Sequence, residues 1–201
     1  MKVLAVLRVI DAAFAAAPPV PCRAGCAACC HGPFDISPAD AKAVEAGMEA
    51  LDSATRGQVV TRAREEIAAF QHTRPDWQAP YDVESLGEAD FDIIAHLRAD
   101  EPCPALSDTG GCTLYQHRPS TCRLMGRPWL TADGGLLANA CPIQEEFPGY
   151  AAMPPTPIDL EMIESALDEI DALQRRQGSP GTTIAGAIVR WAGRGTESPR
   201  P

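Results

Sequence analysis

Eight cysteines fall in two blocks, and their spacing suggests metal chemistry. Cys22, Cys26, Cys29 and Cys30 occupy nine residues in the pattern C-x3-C-x2-C-C. Cys103, Cys112, Cys122 and Cys141 are more widely set, separated by eight, nine and eighteen residues. Tetrahedral zinc and iron–sulfur clusters each take four thiolates, so two groups of four thiols match the demand of either. All eight cysteines are therefore candidate metal ligands.

A disulfide framework is the competing reading. Disulfide-dense scaffolds are mostly short secreted chains that cannot build a core, whereas this chain has 201 residues, 45% of them hydrophobic. Adjacent Cys29 and Cys30 cannot easily bond each other, because a relaxed bridge needs its Cα atoms roughly 4.4–6.8 Å apart. The N-terminus bears on the compartment. Its apolar run ends at Pro18-Pro19 like a secretory leader, but Arg8 and Asp11 interrupt it. Val3, Leu4, Leu7, Ile10 and Phe14 fall on one helical stripe, which predicts an amphipathic helix docked on a core. With no uninterrupted apolar span of about 18 residues, the expectation is a reducing, cytoplasmic protein.

Net charge is −10, which argues against nucleic acid as a partner, since phosphate binding needs clustered Lys and Arg. No H-x3-5-H accompanies the cysteines as in a zinc finger. No Ser/His/Asp set, phosphate-cradling glycine loop or dinucleotide fingerprint is present either. Metal ions, and a protein that serves as redox partner or substrate, are the expected partners.

The elements that must position these thiols read as mainly α. They form a small helical domain around a cysteine-rich core with one short β-hairpin. Ser37, Pro38 and Asp40 signal the start of a helix running to about Leu51. Asp52 or Ser53 caps a second helix, reaching about Gln71, and the two make a helical hairpin over 38–72. A loop leads to a short helix near Glu88 to Leu97. Gly134-Gly135 joins strands Leu124–Thr131 and Leu136–Ala140, the only β-structure expected. Thr156-Pro157 with Asp159 opens a helix to about Arg176, and Ile184, Ile188 and Trp191 mark the last one. In outline, an N-terminal helix (1–20) packs on a cysteine domain (21–150), followed by C-terminal helices (151–192) and a flexible tail (193–201).

Around the second block the chain reads Cys103-Pro104-Ala105-Leu106, Gly111-Cys112-Thr113-Leu114-Tyr115, Arg118-Pro119-Ser120-Thr121-Cys122-Arg123 and Cys141-Pro142. With the upstream C-x3-C-x2-C-C, this resembles the YkgJ-type cysteine-cluster family of zinc- or iron-chelating domains, over roughly Cys22 to Pro142. The resemblance implies metal or iron–sulfur binding by these cysteines and says little about a reaction.

The residues themselves lead the same way. Successive side chains diverge, so Cys29 and Cys30 address different ions or different corners of one site, and ligation mixed between the blocks is expected. A shared site would close a loop of more than 70 residues, so losing the metal should loosen the fold. A structural zinc site usually draws on two C-x2-C knuckles, and a second is missing here. A dense run of cysteines is closer to cluster ligation, which favours [4Fe–4S] over zinc or iron ions. Arg118 and Arg123 flank Cys122 as candidate cofactor-binding residues that donate hydrogen bonds to thiolates or sulfides. The alternative for Arg118 is a carbonyl in the turn made by Pro119. Tyr115 is expected to pack beside the site. His31 and His117 are secondary ligand candidates, better read as exposed or capping residues, and His72 and His96 belong to the surface or core.

These residues predict a redox, metal-handling or accessory module. An iron–sulfur enzyme or enzyme accessory is the alternative, since a similar cysteine region occurs in the longer flagellin lysine methylases. A radical S-adenosylmethionine enzyme shares the spacing of Cys22, Cys26 and Cys29. It would need an aromatic residue where Ala28 stands, and a βα barrel.

Overall fold

The computed structural model describes residues 2–20, 26–138, 143 and 146–194. Cys22 and Cys141 lie outside them, as do the expected end of the second strand and most of the C-terminal tail.

Helices dominate, and each starts where the local chemistry allows. Helix α1 (Lys2–Ala16) buries Val3, Leu7 and Ile10, the stripe read from its sequence. Helix α2 (Pro38–Ala50) begins with Pro38 at its first turn and with Ser37 Oγ accepting from Asp40 N at 3.2 Å. Helix α3 (Ser53–Thr73) is capped by Asp52, whose Oδ1 accepts from Ala54 N and Thr55 N, each at 3.0 Å, and Pro75 follows its end. Short helices α4 (Val83–Leu86) and α5 (Glu88–Leu97) follow, then a 3-10 turn (Tyr115–His117) and α6 (Ser120–Leu124) within the second cysteine block. The chain closes with α7 (Pro148–Ala151), α8 (Leu160–Arg176) and α9 (Ile184–Arg194).

Three expectations need correction. Leu124 ends α6 instead of starting a strand, and the hairpin is shorter: β2 (Trp129–Thr131) pairs antiparallel with β3 (Leu136–Leu137). Nor is this hairpin the only β-structure. Strand β1 (Asp35–Ile36) pairs antiparallel with β5 (Thr182–Thr183), and β4 (Thr156–Ile158) lies parallel to β2. Pairs of two or three residues carry no alternation to read, because they form only when distant segments meet. Thr156-Pro157 is thus a strand, and the cap of α8 is Asp159, whose Oδ1 accepts from Met162 N at 3.0 Å.

Helices α2 and α3 follow each other in sequence, yet both pack mainly on α9. Helix α2 separates two apolar clusters. Ala39 and Ala43 face Leu7, Ile10, Trp129, Ile163 and Leu167. Ala41, Val44 and Met48 face α3, α9 and the second cysteine block. Small residues on both faces let α2 lie close to each neighbour. Among the described residues, no helix is long and apolar enough to cross a membrane.

One buried polar group runs against the packing. Glu66, on the inner face of α3, is 8% exposed and its Oε1 accepts no hydrogen bond. Burial pushes its carboxyl up to about 7, partly offset by the Arg98 guanidinium. The folded state therefore holds this proton more tightly than the unfolded chain. The stability this confers is present in full below about pH 4.5 and is lost as pH rises through 7, a swing of about 3 kcal/mol. In urea melts of metal-free protein, Glu66→Gln should gain stability over wild type between pH 5 and pH 8. A difference that stays flat with pH would contradict this.

Candidate metal centre

The two blocks are joined by backbone. Cys103 N donates to Cys30 O at 2.9 Å and Gly32 N donates to Glu101 O at 2.7 Å, on either side of an antiparallel bridge between His31 and Pro102. Gly32 sits at φ +86°, a conformation a side chain disfavours, with Ala99 Cα 3.6 Å from where a Cβ would stand. This turn brings the first block onto the strand-like approach to the second.

The second block folds back on itself. Leu106 and Cys112 form an antiparallel bridge, closed by Ser107 N to Gly111 O and Thr113 N to Ala105 O, both at 2.8 Å. The turn sets Cys103 and Cys112 side by side. The backbone N–H two residues on, Ala105 for Cys103 and Leu114 for Cys112, lowers each thiol against the rise from burial. Such donors stabilise a thiolate and orient it for a metal.

Cys122 is placed by α6, which α2 holds. Asp40, 3% exposed, accepts from Ser120 N at 2.9 Å and from Ser120 Oγ at 2.6 Å. Burial raises the Asp40 carboxyl and these two bonds pull it back. Helix α2 also lies against the 3-10 turn: a Cβ on Gly47 would stand 2.8 Å from His117 Cβ and 2.9 Å from Leu114 Cδ2.

The result is one cavity of about 80 Å³ lined by Cys26, Cys29, Cys30, Cys103, Cys112 and Cys122, with apolar walls that include Phe34 and Leu114. Every cysteine among the described residues thus faces the same space, and none is in a disulfide. The thiols feel one another. The Cys29 thiol is raised first by its hydrogen bond with Cys30 and then by burial. Burial raises Cys103, Cys112 and Cys122, the last to about 12, with neighbouring thiols adding to it. As placed, no three His, Cys, Asp or Glu side chains among the described residues gather tightly enough to hold a single ion. The sulfurs ring a space.

Arg118 lines this cavity and Arg123 does not. Arg118 lies 4.0 Å from the Tyr115 ring centroid, donates from Nη1 to Tyr115 O at 2.8 Å and pairs with Asp11 of α1 at 3.0 Å. Its charge lowers the thiols of Cys29, Cys112 and Cys122 against the stronger rise from burial and neighbours. Arg123, next to Cys122 on α6, points elsewhere, since adjacent helical side chains diverge. Its donors go to Asp11, to Arg118 O at 2.9 Å and to Gln116 O at 2.8 Å. Tyr115 lines the cavity at its exposed side. His31, His72 and His96 are exposed, and none of the four histidines lines the cavity. The sequence reading placed Asp11 and Asp40 in helices but gave neither a role at the site. Their only signal is that each is an acid on the apolar or first-turn face of a helix.

A family model, CxxCxxCC, described as a "Putative zinc- or iron-chelating domain", matches residues 21–142. Its label spaces the first two cysteines by two residues, where this chain has three between Cys22 and Cys26. Comparison with curated proteins and with solved structures returned no match.

Because Asp40 is what ties Ser120 to α2 among the described residues, Asp40→Ala should strand two half-buried donors, at a cost of about 2 kcal/mol. The same change should hasten metal loss to a chelator by loosening Cys122. Asp40→Asn, which keeps an acceptor for Ser120 N, should lose less on both counts. Equal release half-times for Asp40→Ala and wild type would separate this clamp from the centre.

Proposed function

Since this chain belongs to the CxxCxxCC family of zinc- or iron-chelating domains, we propose that its cysteines ligate an iron–sulfur cluster, [4Fe–4S] in preference to zinc. It would serve as a redox or metal-handling accessory module in a reducing, cytoplasmic setting.

The observation that carries this reading is the space among the sulfurs. Zinc held by four thiolates at about 2.3 Å draws their sulfurs to within roughly 4 Å of one another around a point. Here six sulfurs surround a cavity of about 80 Å³ with no three converging on one position. A cluster with its own inorganic core suits that arrangement better than a lone ion. The donor set is all sulfur, which favours soft metals and clusters over magnesium or calcium. Both blocks contribute, so the site is of mixed ligation, with Cys29, Cys112 and Cys122 electrostatically coupled across them. Bound there, a cluster would supply one-electron chemistry. The chain's part is to hold the thiols, to offer Ala105 and Leu114 N–H groups to their sulfurs, to set Arg118 beside them, and to exclude water with Phe34, Val44, Leu114 and Ile184.

Iron, acid-labile sulfide and the visible spectrum of protein purified without air test the reading. Iron matched by sulfide and a broad band near roughly 400 nm are expected. Colourless protein carrying zinc without sulfide would overturn it. Cys29→Ser and Cys112→Ser should each abolish the same band. Independent partial losses would mean the blocks hold separate centres.

A further inference from the structure

Asp11 lies on α1, ahead of the segment the family model matches, and yet it reaches the centre. Its carboxylate pairs with two guanidiniums, Arg118 and Arg123. Arg118 is the one positively charged side chain lining the thiol cavity among the described residues. Arg123 has a fully buried side chain, and among the described residues Asp11 is the carboxylate that forms an ion pair with it. The three groups therefore carry a net charge of +1 beside sulfurs that become anionic when they bind metal.

We propose that Asp11 is the counter-charge that sets the reduction potential of the thiol centre, acting through the field of Arg118. This rests on the cluster reading above. Arg118 has two holds within its own loop, the Tyr115 carbonyl and the Tyr115 ring. These two holds do not involve Asp11, so the carboxylate is placed to screen the guanidinium more than to anchor it. A positive charge near a cluster favours its reduced, more negative form, and a negative charge opposes it. Removing the carboxylate and removing the guanidinium must therefore act in opposite directions. A merely structural role for α1 would not separate them by sign.

The test is a redox titration of iron- and sulfide-reconstituted protein. Asp11→Asn, with a net charge of +2, should raise the potential above wild type. Arg118→Gln, with a net charge of zero, should lower it. Asp11→Asn leaves Arg123 buried and unpaired and can compromise folding. Asp11→Asn combined with Arg123→Met removes one charge of each sign and should bring the potential back towards wild type. If Asp11→Asn does not fold, Arg118→Gln and the double variant decide. An Asp11→Asn potential at or below wild type overturns the proposal, as does Arg118→Gln at or above it or a double variant far from wild type. A wild-type protein that takes up no sulfide-bearing centre overturns the cluster reading, and this inference with it. A centre that assembles and ignores these substitutions overturns the inference alone.

Discussion

The pairing of Cys30 with Cys103 through their backbones is the constraint on which the site depends. Two hydrogen bonds across the His31–Pro102 bridge bring together segments more than 70 residues apart. Closing so long a loop has an entropic cost that two hydrogen bonds of about 1 kcal/mol each do not meet. The intervening chain supplies the rest. Helices α2, α3 and α5 pack into the apolar cluster that also takes in Cys103, Ala105 and Leu114, and so deliver the second block to the first as part of core formation. Thiol placement is thus tied to hydrophobic burial.

Helix α2 transmits that order to the last of the described thiols. Its Ala39 and Ala43 face one cluster and its Ala41, Val44 and Met48 the other, so it has no solvent face along most of its length. A helix fixed on both sides can hold polar partners accurately, and Asp40 uses this to seat Ser120 at the start of α6. Gly47 completes the approach, since any side chain there would meet His117 and Leu114.

The sequence made the long helices and the candidate ligands legible for different reasons. The starts of α2 and α3 were written in Ser37-Pro38 and Asp52, whose side chains cap locally and need no tertiary partner. The cysteines announced themselves by type and spacing. What stayed hidden depends on contacts between distant segments. Strands β1, β4 and β5 are too short to show a period, and Thr156-Pro157 imitates a helix cap while pairing with β2. Asp11 appears in sequence only as an interruption of an apolar run, because its partners lie more than 100 residues away. The placement of Arg123 away from the thiols follows from the pitch of α6, a helix of five residues too short to read.

Electrostatics and packing act together on the described thiols. Four of the six described thiols are held above their ordinary range, by burial or by each other. Neutral thiols pack as small apolar groups, and Cys103 accordingly counts as core while Cys30, Cys112 and Cys122 lie against it. Loading must expel the thiol protons, and the N–H donors of Ala105 and Leu114 together with Arg118 favour the anions that result. The same residues therefore suit two states: an apolar lining when the sulfurs are protonated, and a set of thiolates around one shared cavity when they are not.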